Sequence, residues 1–152
     1  MPTTKISSLI APDRIIDLKP GSKSDALRQL FRVIEHSPEI TDGRAFEESI
    51  IEREDVLTTG IGFEMAIPHV QLKSVKNFVM ALGRCQEGID FDSLDGRPVR
   101  IVVMIASSDK QERNEFLRML AKVVMLFKEE AFRRKIMMAD GPEEIMAVLK
   151  PY

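Results

Sequence analysis

The stretch TTGIGFEMAIPHV, residues 58–70, decides where the chain turns and where its chemistry lies. Gly60 and Gly62 predict tight backbone turns, and Pro68 ends the short apolar run that follows them. A proline restricts the residue before it to extended conformations, so the chain enters His69 in a fixed direction. A glycine-containing loop of this kind can present backbone N–H groups to an anion. The pattern therefore predicts an anion-binding loop beside a histidine.

Upstream of this stretch, the pattern predicts a short strand followed by two helices. The strand covers residues 14–18, and the first helix follows with Ser22 as its N-cap and Pro38 just beyond its end. The apolar residues of this helix recur at helical spacing and predict one buried stripe: Leu27, Leu30, Phe31 and Ile34.

The second helix is predicted to begin after Thr41 or Asp42 and to run to about Asp55. Its expected inner face carries Phe46, Ser49 and Ile50. Arg53 follows Ile50 by three residues and therefore lies in nearly the same phase. We expect its guanidinium at the inner edge of the helix, near the end that leads into the glycine loop.

Two apolar segments downstream predict buried strands. Residues 75–82 and 99–106 are apolar on both alternating faces, which is typical of strands covered by helices on each side. Residues 94–97, Leu-Asp-Gly-Arg, predict a turn between them.

The C-terminal third is predicted to be helical. A third helix over about residues 110–128 has an expected buried stripe of Leu117, Leu120, Val123, Val124 and Phe127. Four residues before Leu117 this stripe reaches Arg113, in the first helical turn. Two shorter helices follow, over residues 130–139 and from Pro142 onward. Strands that alternate with helices predict an α/β fold of packed layers.

The composition limits the classes of function. The chain has 152 residues, of which 44% are hydrophobic, so we expect a single domain over residues 1–152 with one filled core. A formal net charge of -2 gives no electrostatic basis for binding nucleic acid. Neither a membrane-spanning run nor a secretory signal is recognised, so we expect no membrane insertion and a cytoplasmic location.

Few residues suitable for metal or disulfide chemistry are present. Cys85 is the only cysteine, and His36 and His69 are the only histidines. We therefore expect no internal disulfide, no metal site and no cofactor. Cys85 is interpreted as a small hydrophobic residue and His36 as a surface residue at a helix end.

His69 is the candidate reactive residue. A neutral imidazole, with an ordinary pKa of about 6.5, is a nucleophile toward phosphoryl groups. Phosphoryl transfer needs mainly positioning and donors to the equatorial oxygens, and Arg53 and Arg113 can supply such donors. Glu64 is near enough in sequence to interact with the histidine, but a solvated loop carboxylate is an equal alternative. An imidazole that is merely exposed or satisfied in the core is the competing interpretation.

Five segments carry a resemblance to a known family: Arg53-Glu54, Thr59-Gly60-Ile61-Gly62, Ala66-Ile67-Pro68-His69, Ile89-Asp90-Phe91-Asp92 and Asp95-Gly96-Arg97-Pro98-Val99. They are similar to segments of the fructose- and mannitol-type enzyme IIA domains of the bacterial sugar phosphotransferase system, including the nitrogen-regulatory branch. The similarity covers nearly the whole chain, roughly from Ile6 to Leu149.

This resemblance implies a mixed central sheet flanked by helices on both faces. It implies an enzyme component with a phosphohistidine intermediate, in which the ε nitrogen of His69 accepts phosphate from the phosphocarrier HPr or its nitrogen-branch counterpart. Arg53 matches the arginine beside the phosphate in the family. The expected phosphate-binding loop consists of Thr59, Gly60, Gly62 and Glu64. A IIB domain or regulated target proteins are the expected further partners.

The chain departs from the family at several positions. Arg113 stands where members usually carry a second histidine, and a fixed cation stabilises a phosphoryl group without shuttling a proton. Members commonly have glycines where Glu64 and Val70 stand, and a polar residue where Phe63 stands. Three functions remain open: a phosphoryl carrier that feeds a transporter, a regulatory module switched by phosphorylation, and a protein that binds partners without being phosphorylated.

Overall fold

The computed structural model describes residues 4–56 and 58–152. Its central sheet is mixed, with both parallel and antiparallel strand pairs. The described elements, in chain order, are β1 (Ile15–Asp17), α1 (Lys23–Ile34), α2 (Gly43–Val56), β2 (Gly60–Gly62), β3 (Met65–Ala66), β4 (His69–Leu72), β5 (Val79–Ile89), β6 (Val99–Ser108), α3 (Arg113–Phe127), α4 (Glu130–Met138) and α5 (Pro142–Leu149). The strand order is β1-β5-β6-β3-β2, with β4 also paired to β6. The predicted α/β fold with a mixed sheet is confirmed.

Two short strands share one edge of β6. β3 pairs in parallel with residues 101–102 of β6, and β4 pairs in parallel with residues 105–108. Pro68 lies between the two short strands and its carbonyl accepts a hydrogen bond from the backbone N–H of Ile105 at 2.9 Å. A proline cannot donate to the ladder, so the strand is interrupted there. This interruption makes His69 the first residue of β4.

Helices cover both faces of the sheet. One face buries the apolar stripes of α1 and α2 against alternate residues of β6: Val102, Met104 and Ala106. The other face buries α3, α4 and α5 against the intervening residues: Ile101, Val103 and Ile105. Both sides of the central strands are therefore in contact with apolar helix faces, as their sequence predicts. None of the described helices combines the length and the apolar character needed to cross a membrane.

Side chains cap the first two helices. The Ser22 hydroxyl accepts a hydrogen bond from the backbone N–H of Asp25 at 3.1 Å, as expected for the N-cap of α1. At the start of α2, the Asp42 carboxylate accepts from the backbone N–H of Ala45 at 3.1 Å. Asp42 therefore caps α2, while the Thr41 hydroxyl donates to the carbonyl of Ser74.

The predicted boundaries of β5 were wrong. The strand begins at Val79, whereas Val75 forms an isolated bridge with Ile40 and fills the core from a loop. Its other end extends to Ile89, so that Cys85 lies within the strand and is buried. An apolar run shows that residues are buried, but a buried loop residue produces the same pattern as a strand residue.

The predicted buried stripe of α3 was partly wrong: Val123 and Phe127 are buried as predicted, but Phe116 and Met119 are buried in place of Leu117 and Leu120. The helix begins at Arg113, and Leu117 remains 45% exposed. The buried side chains are Phe116, Met119, Val123 and Phe127. Because apolar residues occupy neighbouring positions along this helix, its sequence permits two overlapping stripes, and contact with the sheet selects one of them.

A buried arginine links β5 to the end of α4. The Arg84 guanidinium donates to the carbonyls of Ile136 at 2.8 Å and Ala139 at 2.6 Å, and it pairs with Asp17 at 2.5 Å. These bonds satisfy carbonyls at the C-terminus of α4 that have no partner within the helix.

Replacing Arg84 by methionine is expected to lower the free energy of unfolding by about 2–4 kcal/mol, because it leaves buried carbonyls without donors. Urea denaturation measures the change. Arg134→Met is the control, since Arg134 pairs with Glu130 on the exposed face of α4, and its loss is expected to cost less than about 1 kcal/mol. Equal effects of the two substitutions would contradict a capping role for Arg84.

Candidate functional site

His69 lies at the edge of the sheet, under the first turns of α3. It is half-buried, and its ring centroid is 5.9 Å from that of Phe116. Its register partner on β6 is Ile105, which belongs to the core on the α3 side. The imidazole therefore has one apolar neighbour in the core while one side remains accessible.

A backbone carbonyl fixes the orientation of the imidazole. Nδ1 of His69 is 2.7 Å from the carbonyl oxygen of Ile67. A carbonyl oxygen only accepts hydrogen bonds, so Nδ1 carries the proton of the neutral ring. Nε2 then keeps its lone pair and is the ring nitrogen that can act as a nucleophile.

The surroundings of His69 favour the neutral ring. Burial lowers the pKa of His69 below its ordinary 6.5, and the positive charges of Arg53 and Arg113 lower it further. The hydrogen bond to the Ile67 carbonyl and the negative charge of Glu54 act in the opposite direction without reversing the shift. At neutral pH the imidazole is therefore uncharged and nucleophilic.

Arg53 is in the last turn of α2, where its helical phase predicted it. Its side chain is half-buried, and its charge acts on His69. The next residue, Glu54, is almost fully buried, at 4% exposure. Adjacent residues of one helix thus provide a cation near the histidine and a carboxylate within the core.

Glu54 anchors the start of the glycine loop. Its two carboxylate oxygens accept from the backbone N–H of Thr59 at 2.8 Å and from the Thr59 hydroxyl at 2.6 Å. Lys23 balances the buried charge, with its Nζ 2.8 Å from the same carboxylate. The Thr59 carbonyl in turn accepts from the backbone N–H of Ile67 at 3.0 Å. This chain of contacts connects α2 to the residue whose carbonyl orients His69.

Arg113 approaches His69 from the first residue of α3. Its guanidinium lies 5.6 Å from the ring centroid of Phe116 and donates to Oε1 of Gln71 at 2.8 Å. Phe116 is three residues further along the helix, so it and Arg113 lie on the same face. Helical spacing from Leu117 predicted the position of Arg113, although Leu117 is exposed. The buried residue that shares a face with Arg113 is Phe116.

The predicted loop residues do not all lie together. Gly62 ends β2 with a φ angle of 98°, and Glu64 lies in the turn that follows, with a φ angle of 59°. The Glu64 carboxylate pairs with Arg100 at 3.0 Å. This turn is joined to β6 beside residue 101, whereas His69 pairs with residue 105. Four residues of strand separate the two positions by about 13 Å. The structure therefore brings Thr59 toward the histidine and directs Gly62 and Glu64 away from it.

Gly60 has a packing role in the described structure. A Cβ added there would lie 3.0 Å from the Cα of Ser93 and 3.2 Å from the Cβ of Phe91. Its carbonyl accepts from the backbone N–H of Leu94 at 2.9 Å. Gly60 therefore allows its backbone to pack closely against the segment before β6.

The site thus contains an oriented neutral imidazole and two arginines, an arrangement suited to accepting a phosphoryl group. Among the described residues, no group of three or more histidine, cysteine, aspartate or glutamate side chains is placed to hold a metal ion. Residues 9–152 match the model of the family described as "Phosphoenolpyruvate-dependent sugar phosphotransferase system, EIIA 2". The chain belongs to this enzyme IIA family. The resemblance predicted from the sequence is confirmed.

Curated relatives come from both the sugar-specific and the regulatory branches. A fructose-specific EIIA component of Haloferax volcanii is 31% identical over 98% of this chain and 97% of the relative. A nitrogen regulatory protein of Bradyrhizobium diazoefficiens is 31% identical over 95% of this chain and 94% of the relative. A fructose-specific EIIABC component of Bacillus subtilis is 30% identical, but this enzyme IIA chain matches only 23% of its length.

Solved structures place the fold in the same family. The nitrogen regulatory protein IIA-Ntr of Neisseria meningitidis superimposes with a TM-score of 0.85 at 27% identity, over 95% of this chain and 98% of that one. The mannitol IIA of Escherichia coli superimposes with a TM-score of 0.77 at 17% identity, over 92% of this chain and 98% of that one. The latter likeness demonstrates the shared enzyme IIA fold.

The sequence analysis assigned no site role to three polar residues of this enzyme IIA site: Gln71, Glu54 and Lys23. Gln71 follows His69 by two residues on β4, and strand alternation puts both on the same face, a signal that was present in the sequence. Glu54 follows the buried Ile50 by four residues, so helical phase could have indicated its burial. Lys23 comes from α1, 31 positions before Glu54 in the sequence, and no local pattern connects the two.

The lowered pKa of His69 predicts the pH dependence of the site. The neutral, reactive ring is expected to persist below pH 6.5. As the pH is lowered, phosphoryl uptake should therefore decrease with a midpoint below 6.5. Because the folded-state pKa lies below the unfolded one, the stability linked to this group is complete above pH 6.5 and is lost as pH falls through the folded-state pKa. An NMR titration of the His69 imidazole measures the midpoint. A midpoint above 6.5 would contradict the prediction.

Proposed function

We propose that this chain accepts a phosphoryl group on Nε2 of His69 from HPr or an HPr-like phosphocarrier of the nitrogen branch. The observation that carries the proposal is the 2.7 Å contact between Nδ1 of His69 and the carbonyl of Ile67, which leaves Nε2 as the nucleophile. Family membership supports the class of reaction, a phosphotransferase step through phosphohistidine.

Phosphoryl transfer to His69 replaces one bond to phosphorus by another. The Nε2 lone pair forms a bond to phosphorus while the bond from phosphorus to the donor breaks, and the donor leaves with that electron pair. Nδ1 keeps its proton, so the ring becomes positively charged in the phosphorylated product. The Ile67 carbonyl accepts from the Nδ1 proton and stabilises this charge.

Arg53 and Arg113 are proposed to hold the transferred group. They come from α2 and α3, on opposite faces of the sheet, and both charges act on His69. Each guanidinium can donate two hydrogen bonds to phosphate oxygens, so together they can bind the group from two directions. Thr59 contributes indirectly, by fixing the backbone of Ile67.

Other phosphotransferase proteins, in the cytoplasm, are the proposed partners. A solved complex contains mannitol enzyme IIA and phosphorylated enzyme IIB of Escherichia coli, and that IIA has the same fold as this chain, with a TM-score of 0.79. For this chain, the phosphoryl group would pass to a IIB domain or be retained to regulate a target protein.

Phosphorylation of the purified chain tests the proposal. Incubation with phosphoenolpyruvate, enzyme I and HPr, and separately with their nitrogen-branch counterparts, is expected to add one acid-labile phosphate, detected by intact-protein mass spectrometry. Absence of phosphate with both donor sets, for a protein that is folded by circular dichroism, would overturn the proposal.

A regulatory role is the second candidate, favoured by Arg113. This arginine stands where members of the family usually have another histidine, and it cannot exchange a proton near neutral pH. A permanent cation favours the phosphorylated state, because it attracts the bound dianion. Slow transfer from the phosphorylated chain to fructose- and mannitol-type IIB proteins would support regulation, whereas rapid and complete transfer to either would support transport.

A further inference from the structure

We infer that Gln71 is a positioning residue that holds the Arg113 guanidinium beside His69. This inference rests on the proposed function, since it identifies what keeps one of the two proposed phosphate-binding arginines in place. Gln71 is not among the site residues that the sequence predicted.

The geometry fixes the side-chain amide of Gln71 in one orientation. Its Nε2 donates to the backbone carbonyls of Gln111 at 3.2 Å and Ser108 at 3.4 Å. The reversed amide would direct its oxygen at these two carbonyls, which are acceptors only. Oε1 must therefore face the other way, where it accepts from Arg113 at 2.8 Å.

Arg113 needs such a partner because it is otherwise exposed. It is the first residue of α3, and a long side chain at an exposed helix start has many conformations in water. The bond to Gln71 and the contact with the Phe116 ring limit this freedom on the side that faces His69. Positioning in advance lowers the entropic cost of binding the phosphoryl group.

A glutamine at position 71 preserves the positive charge of Arg113, whereas a carboxylate there would neutralise it. A neutral amide accepts from the guanidinium without cancelling its charge, so the attraction to a phosphoryl dianion is retained. A guanidinium has five N–H donors, and the bond to Gln71 leaves others for phosphate oxygens. Buried Glu54, by contrast, is matched by the charge of Lys23.

The test replaces Gln71 by methionine, which has a similar length and no hydrogen-bonding groups. The lost contact is expected to slow phosphoryl uptake by about 3- to 10-fold, less than Arg113→Met does. In the Arg113→Met background the same substitution is expected to have no further effect on uptake, because the residue it positions is gone.

An NMR titration of His69 provides a readout that does not require a donor. Three charged groups act on this imidazole: Arg53 and Glu54 from α2, and Arg113 from α3. Both Gln71→Met and Arg113→Met are expected to raise the pKa of His69, because each moves or removes the Arg113 charge. Gln86→Met is the matched control, since the Gln86 amide donates to the Met137 carbonyl on an exposed part of β5, and it should change neither uptake nor titration.

The uptake and titration results together distinguish a failure of the positioning role of Gln71 from a failure of the proposed function. If Arg113→Met raises the pKa of His69 and Gln71→Met does not, the positioning role of Gln71 is rejected while the proposed function stands. Additive slowing in the double variant, or no change in titration with either substitution, also rejects it. If the original chain takes up no phosphate but both variants shift the titration, the proposed function fails and the positioning of Arg113 is upheld.

Discussion

Replacing His69 by glutamine is expected to abolish phosphoryl uptake. Nε2 of His69 is the proposed acceptor, and glutamine has no nitrogen lone pair of comparable nucleophilicity. The phosphate that the unmodified chain acquires from enzyme I and HPr should be absent from the variant in intact-protein mass spectra. The expected loss is complete, because no neighbouring side chain in the described structure holds an equivalent nucleophile in the same orientation.

The second histidine of the chain provides the control. His36 is exposed, next to the end of α1, and His36→Gln should be phosphorylated at the normal rate. Both variants should retain the circular dichroism spectrum of the folded chain. Normal labelling of His69→Gln, or loss of labelling in His36→Gln, would assign the acceptor elsewhere.

Replacing Arg53 by alanine is expected to slow phosphoryl uptake by about 10²- to 10³-fold, since removing a donor aimed at developing negative charge commonly has an effect of this size. The free energy of unfolding should fall much less, by about 1 kcal/mol, as for a typical substitution at the edge of a core. Rapid-quench kinetics at saturating donor measure the rate, and urea denaturation measures stability.

Arg44→Ala is the matched control for Arg53→Ala. Arg44 lies on the same helix, is exposed and pairs with Glu48. Its removal should leave the rate of uptake unchanged and cost less than about 1 kcal/mol of stability. If folded Arg53→Ala protein reacts at the normal rate, Arg53 has a structural role and the proposed phosphate-binding pair is wrong.

The direction of the chain into His69 is set by neighbouring residues, and the sequence predicted it. Pro68 interrupts the strand and sets the direction of the chain into His69, and the contact between the imidazole and Ile67 spans only two residues. Helical phase likewise led from Ile50 to Arg53 within one turn. Local geometry determines such features, so neighbouring residues are sufficient to predict them.

Glu64 illustrates the limit of reasoning from sequence distance. It is five residues from His69 along the chain, yet it lies in the hairpin turn and pairs with Arg100. Glu54 is fifteen residues away, and it is connected to the histidine through Thr59 and Ile67. The hairpin reverses the chain direction, so that a residue near in sequence is carried away while an earlier one is brought back.

By itself, the sequence determined the family, the layered α/β fold, the N-cap of α1 and the direction of the chain into His69, because each depends on short-range periodicity or on motifs. Only the tertiary structure decided which apolar stripe of α3 is buried, where β5 begins, and that Gln71 binds Arg113, 42 residues away along the chain. These features depend on which surfaces meet when the elements pack together. Several arrangements satisfy the local pattern, and the one with the best-packed core is selected.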